Sequence, residues 1–204
     1  MVDNRQHWES VYHHKATDEV SWFQPHAASS LRLIQGCSDT RAHIIDVGGG
    51  ASVLVDGLLD AGYRNLTVLD LAESALAASR ARLGARAASV QWIAADITRA
   101  ELPEARYDVW HDRAVFHFLT DPADRTRYVA QVLKSVKPGG HVIVAAFGPG
   151  GPLQCSGLDV VRYDPEALHA EFGTPFRLLG HETETHYTPS GQEQEFVYCY
   201  CVRT

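Results

Sequence analysis

The feature that most constrains the fold is an alternation along the chain. Apolar runs of strand length, AHIIDV at 42–47, LTVLDL at 66–71, VQWIAA at 90–95, YDVWHD at 107–112 and HVIVAAF at 141–147, are separated by stretches with helical spacing. Several of the runs are apolar almost throughout, as strands covered on both faces must be. The intervening stretches SVLVDGLLDAG, AESALAASRARLG and DPADRTRYVAQVLKSVKPGG each end in Gly or Pro-Gly, the usual stop of a helix. Strand, helix, strand in series predicts an α/β fold with a parallel sheet and helices on both faces.

The rhythm breaks at both ends. FRLLGHETETHY at 176–187 and QEFVYCYCVR at 194–203 have no helix between them and predict an antiparallel pair at the sheet edge. Before the first strand, NRQHWESVYHHK and PHAASSLRLIQG read as two helices joined by ATDEVSWFQ. With 204 residues, 45% hydrophobic and 21% charged, one globular domain is expected. No run approaches the roughly 20 apolar residues of a membrane helix, and MVDNRQHWES lacks a secretory layout, so a cytoplasmic location is expected.

A net charge of -7 argues against a broad phosphate-binding surface, leaving a small molecule or a protein as partner and neither nucleic acid nor membrane. Cys37, Cys155, Cys199 and Cys201 form no CxxC pair and read mainly as reduced packing residues, Cys199 and Cys201 on one side of a strand.

Between the first strand and the next helix lies DVGGGASVLV, with Asp46 at the strand end and Gly48, Gly49 and Gly50 in the turn. Glycines let a main chain approach a ligand closely, and a helix start offers unpaired N–H groups to an anion. Ser52 can join them or cap the helix. A dinucleotide fingerprint would need a third glycine where Val53 stands, so a nicotinamide or flavin site is a poor match. Asp70 ends the second strand and Asp96 the third, with Leu71 and Ile97 beside them. Each acid alone could be a helix cap. Three acids ending three successive strands point to a ligand with a ribose and an adenine.

The ordered set IIDVGGGAS, VLDLAES and AADIT, with VKPGGHVIV leading into the fifth strand, resembles the class I S-adenosylmethionine-dependent methyltransferases. The resemblance covers about residues 40–203. It implies a Rossmann-like doubly wound sheet of seven strands in the order 3-2-1-4-5-7-6, strand 7 antiparallel, with an N-terminal helical lid at 1–38 over a core at 39–204. It further implies that S-adenosylmethionine lies over Gly48 and Gly50, that Asp70 holds the ribose, and that Asp96 and Ile97 hold the adenine. Asp46, Ser52, Leu71 and Asp112 are expected on the cofactor side as well. HWESVY and VSWFQ are similar to the entry segment of small members of the family, which makes Trp8, Tyr12 and Trp22 the expected cover.

HDRAVFHFL at 111–119 falls at the ligand-binding end of the fourth strand. It lacks the Asn/Asp-Pro-Pro-aromatic signature of base and amide methylation, and a single Asp112 beside His111 and Arg113 is a poor magnesium cradle. No metal is expected. Arg113, His111 and His117 are donors suited to an anion, and Arg162 with Cys155 on the GPGGPLQCSGLD segment would close over the site. A soft or anionic acceptor is therefore expected: a thiol, a sulfide, selenium or a related oxyanion. The same N-terminal segment resembles small protein-lysine methyltransferases, which leaves a protein-lysine or carboxylate acceptor as an alternative, with Glu19, Trp22 and Tyr163 as its channel. A non-catalytic S-adenosylmethionine-binding protein is a further alternative. A monomer or homodimer fits either.

Overall fold

A computed structural model describes residues 4–204. Two helices come first, α1 (Asn4–His14) and α2 (Ala28–Cys37). Then β1 (His43–Val47), α3 (Leu54–Asp60), β2 (Asn65–Asp70), α4 (Glu73–Leu83), β3 (Val90–Ala94), β4 (Tyr107–Arg113), α5 (Pro122–Ser135) and β5 (Val136–Phe147) build the parallel part. A hairpin of two-residue strands, β6 (Gln154–Cys155) and β7 (Leu158–Asp159), leads to α6 (Pro165–Phe172), β8 (Phe176–Tyr187) and β9 (Glu193–Arg203). The seven-stranded sheet runs β3-β2-β1-β4-β5-β9-β8, with β9 antiparallel to both neighbours. Counting sheet strands alone, that is the 3-2-1-4-5-7-6 order expected from the resemblance. The order reverses between β1 and β4, and a crevice opens there at the carboxyl ends of the strands.

Two differences from the sequence reading have local causes. The VKPGG stretch, expected as a turn, is taken into β5, whose pairing with β4 slips between Tyr107 and Val109 to absorb it. Helix α6 was not expected. It starts with Asp164 accepting the Ala167 amide at 2.7 Å and Pro165 in the first turn, as Asp121 and Pro122 start α5. The repeated Asp-Pro-Glu/Ala start was a legible signal.

Strand alternation sorts β4. Trp110 and Asp112 face α5, where Trp110 donates to the Tyr128 hydroxyl at 2.9 Å and Tyr128 donates to Asp112 at 2.6 Å. His111 and Arg113 face the opposite layer, toward α2 and the segment before it. One strand thus feeds a closed aromatic core on one face and the crevice on the other.

The N-terminal segment is fastened at two edges. Glu9 of α1 accepts the Glu73 and Ser74 amides at the start of α4, at 2.7 and 3.2 Å, so a carboxylate satisfies another helix's unpaired donors. On the other side, alternate residues of β8 hold it: Glu182 pairs with Arg32, Glu184 accepts Gln24, and His186 donates to the Ser21 carbonyl. Among the described residues no helix is long and apolar enough to cross a membrane.

Candidate active site

A cleft of about 150 Å³ lies at the carboxyl ends of β1, β2, β3 and β4. Gly48, Asp70, Leu71, Asp96 and Ile97 line one side of it, and Trp8, Tyr12 and Trp22 line the other. Arg113 contributes to the same wall, with Val115 and Phe118. A smaller recess of about 40 Å³ adjoins the cleft, sharing Trp22, Gly48 and Arg113 with it and reaching Asp46, Ser52, Ser30 and His111.

The glycine turn is shaped first by its own acids. Asp70 accepts the Gly50 amide at 3.0 Å and the Ala72 amide at 2.9 Å, and a Cβ on Gly50 would stand 2.6 Å from Asp70 Oδ2. A Cβ on Gly49 would stand 2.1 Å from Asp46 Oδ2. The glycines thus answer to the acids beneath the loop as well as to any ligand above it. Asp70 is buried, and burial raises its carboxyl to about 6. Each of its oxygens, with one amide accepted, keeps a lone pair for a further donor such as a ribose hydroxyl. Asp96 Oδ1 accepts both the amide and the hydroxyl of Thr98, at 2.9 and 2.8 Å. Asp46 Oδ2 is buried without a partner. An acceptor-rich floor, apolar Leu71 and Ile97, and rings opposite fit an adenosine bearing hydroxyls, an amine and a cationic sulfur.

Ser52 sits in the recess, and its hydroxyl accepts the amide of Leu54, the first residue of α3, at 3.1 Å. Asp112 does not reach the cleft. It is fully buried on the α5 face, accepts the Val115 amide as well as Tyr128, and is raised to about 7 by burial. The strand's period of two put Asp112 and Arg113 on opposite faces.

The donor wall expected from HDRAVFHFL is satisfied internally. Arg113 donates to Glu184 at 3.1 Å, to the Tyr198 hydroxyl at 3.1 Å and to the Trp22 carbonyl at 3.3 Å, and stacks 4.2 Å over Phe196. His111 lies between Asp46 (2.7 Å) and Ser30 (2.8 Å). His117 does not join them, because Ala114 at φ +75° breaks the strand direction and a short turn buries the ring against Phe147. There its Nδ1 accepts the Phe147 amide, and burial with Arg113 nearby lowers it to about 3, so it is neutral at physiological pH. Cys155 and Arg162 lie outside the cleft. The first is buried 3.7 Å from the Ser21 hydroxyl with its thiol pushed up by burial, and the second is held by the Pro149 and Gly151 carbonyls. The 148–159 segment is pinned by a hairpin and by Val161 donating to the His117 carbonyl, which does not suit a free lid.

The lysine channel is not assembled either: Glu19 accepts the Ala16 amide, and Tyr163 packs on Phe116 in the α5 core. Residues that sequence reasoning missed include Asn4, Thr98, Val115, Phe118, Leu119 and Asp124 in the cleft, and Ser30, Gln24 and Phe23 in the recess. Thr98 was legible, two residues after an acid at a helix-like turn. The others depend on how the chain closes. All four cysteines are free, and no group of His, Cys, Asp or Glu that could hold a metal occurs among the described residues.

A family model described as "Methyltransferase domain" matches residues 44–140. The chain is 23% identical over 154 residues to the eEF1A lysine and N-terminal methyltransferase of Bos taurus, covering 72% of this chain but 22% of that protein. It thus spans about a fifth of that relative's length. A structure described by the conversion of a disulfide bond into a thioacetal group during echinomycin biosynthesis superposes with a TM-score of 0.77 at 16% identity, over 98% of this chain and 92% of the other. The 1,6-didemethyltoxoflavin-N1-methyltransferase of Burkholderia thailandensis, solved with bound 1,6-didemethyltoxoflavin and S-adenosylhomocysteine, gives 0.72 at 23% identity, over 98% and 87%. The match takes in just under half of the chain, and together with the shared fold it makes the chain similar to methyltransferases, one of them solved with S-adenosylhomocysteine.

Proposed function

We propose that the chain transfers the methyl group of S-adenosylmethionine to a small, soft, protic acceptor, a thiol or selenol first among them. Asp70 holds the ribose and Asp96 with Ile97 the adenine, while Trp8, Tyr12 and Trp22 exclude water from the sulfonium. The transfer is an in-line displacement, so the residues orient and desolvate rather than form a covalent intermediate.

The observation that carries this reading is the pairing of a ring-lined acceptor side with a carboxylate-backed imidazole in the adjoining recess. Sulfur and selenium are polarizable and favour aromatic surroundings, by roughly 0.3–1.5 kcal/mol for sulfur. A thiol, near ~8.5, needs to lose its proton only in part. An oxyanion is the weaker choice, because Glu184 already neutralises Arg113 and His117 is buried and neutral. The sulfur chemistry of the echinomycin neighbour is in keeping with this choice.

A second reading rests on a separate observation. The same rings, with Trp8 and Trp22 centroids 5.5 Å apart and Tyr12 6.1 Å from Trp22, face Asp70, Asp96 and Asp124, surroundings that suit a cationic amine. Peptide and small amines are its acceptors, in line with the eEF1A relative. The test is S-adenosylhomocysteine release from S-adenosylmethionine with panels of thiols, selenite, small amines and lysine peptides. Release with thiols upholds the first reading and release with amines or peptides the second. Tight cofactor binding with no release on any panel supports a non-catalytic binding protein instead.

A further inference from the structure

Two donors-only and acceptors-only ends fix the sense of a buried hydrogen-bond chain in the recess. A guanidinium can only donate, so Arg113 Nε donates to the Tyr198 hydroxyl at 3.1 Å. Tyr198 then turns its own proton to Ser30 Oγ, 3.4 Å away. Ser30 in turn donates to His111 Nε2 at 2.8 Å, and His111 Nδ1 donates to Asp46 Oδ1 at 2.7 Å. The carboxylate end can only accept, and its second oxygen is unpartnered. Ser30, His111 and Asp46 are all buried, yet all three line the recess that shares Trp22, Gly48 and Arg113 with the cleft. With about 40 Å³ the recess has room for water between the cleft and Ser30.

We propose that Ser30, His111 and Asp46 form the outlet for the proton that the methyl acceptor loses. The proposal rests on the methyl-transfer reading above and adds residues to it. As the acceptor atom attacks the methyl carbon, its X–H bond breaks and the X–CH₃ bond forms. The methyl–sulfur bond breaks with its electron pair left on sulfur, giving S-adenosylhomocysteine. The released proton passes to Ser30 Oγ, directly or through one water, while the serine's own proton moves to His111 Nε2. The imidazolium so formed is compensated by Asp46. Charge is conserved: the sulfonium's positive charge ends on the imidazole. Tyr198 and Arg113 are positioning residues here, since they hold the lone pairs of Ser30 in the sense the transfer needs.

A hydroxyl that merely fastened α2 to the sheet would serve all acceptors alike, whereas a proton outlet matters only for an acceptor that arrives protonated. The experiment measures kcat for the full chain with two thiols or two amines of similar size, one mostly protonated and one mostly ionised or neutral-nucleophilic at the assay pH. Ser30→Ala and the isosteric Asp46→Asn are compared with the wild type, and Ser30→Thr restores the hydroxyl. For the protonated acceptor, the Ala and Asn variants are expected to lose on the order of 10²–10⁴-fold in kcat, with Thr restoring part of it. For the pre-ionised acceptor the loss is expected to be smaller by at least about tenfold, since general-base help contributes nothing there. Equal losses for both acceptors overturn the outlet. A wild type that binds S-adenosylmethionine but methylates neither acceptor overturns the methyl-transfer reading itself, and the two failures are told apart by the wild-type measurement.

Discussion

Asp70 Oδ2 accepts the Gly50 amide at 3.0 Å, and a methyl on Gly50 would stand 2.6 Å from the same oxygen. The acid and the glycine turn are one device, in which the carboxylate holds the loop and the loop holds the carboxylate. Asp70→Asn must turn an amide N–H₂ toward either the Gly50 or the Ala72 donor. S-adenosylhomocysteine affinity is then expected to fall by at least about tenfold, the loss of roughly 1.5–3 kcal/mol for hydrogen bonds to a charged group. Wild-type affinity should also weaken as pH drops from 7 to 5, because Asp70 protonates near 6 and the hydroxyl donors favour its ionised form. Titration calorimetry at several pH values checks both, and an unchanged affinity in the Asn variant would sink the assignment of the ribose site.

Glu184 decides how Arg113 behaves toward charged acceptors. Both side chains are largely buried, and the pair also holds Gln24 and the Trp22 carbonyl of the entry segment. Glu184→Gln should leave a guanidinium without its counter-charge at the wall shared by cleft and recess. The expected result is a lower KM for anionic acceptors with KM for neutral ones little changed, together with a stability loss of about 3 kcal/mol. Steady-state kinetics across a charge series and urea unfolding read the two effects. A KM that is indifferent to acceptor charge in the variant would show that Arg113 does not face the acceptor.

The sheet order, the five parallel strands and the three strand-end acids were legible because central α/β strands are apolar on both faces and their ligand end is marked by the turn that follows. Trp8, Tyr12 and Trp22, which line the cleft, were singled out through the resemblance and not through spacing. The residues of the acceptor side part company for a physical reason: sequence shows which residues are adjacent, and β4 then sends Asp112 and Arg113 to opposite faces. Whether a cation is free depends on a partner from far along the chain. Glu184 lies 71 residues from Arg113, and Ser30 lies 81 from His111. Nothing local marks such pairs.

His117 sets an acid limit on stability. In the unfolded chain it titrates near 6.5, and in the fold it is lowered to about 3 by burial. Its contribution is present above 6.5 and is lost as pH falls toward 3, because the unfolded state binds the proton more readily there. Asp112 works in the opposite sense. Raised to about 7, it contributes below 3.8 and loses that contribution as pH rises through 7. His117→Gln should therefore flatten the fall in melting temperature between pH 6.5 and 4, and Asp112→Asn should flatten the fall on the approach to pH 7. Both slopes unchanged would mean that these two groups do not govern the profile.

The four tryptophans separate cleanly by place, which gives the cover a direct readout. Trp8 and Trp22 line the cleft, whereas Trp92 donates to the Ala87 carbonyl and Trp110 is buried against Tyr128. A ligand filling the cleft changes the surroundings of the first two alone. Cofactor binding is expected to alter tryptophan emission in the wild type and in Trp92→Phe, and to leave it nearly unchanged in the double variant Trp8→Phe/Trp22→Phe. The rings also distinguish the two cofactor forms by charge, since a sulfonium over an aromatic face gains about 0.5–2 kcal/mol that the neutral thioether does not. Trp22→Ala should accordingly weaken S-adenosylmethionine more than S-adenosylhomocysteine, by roughly 2- to 30-fold in the ratio of their dissociation constants. An emission change that survives in the double variant, or equal weakening of both cofactor forms, would place the bound sulfur away from Trp22 and return these rings to the role of plain packing.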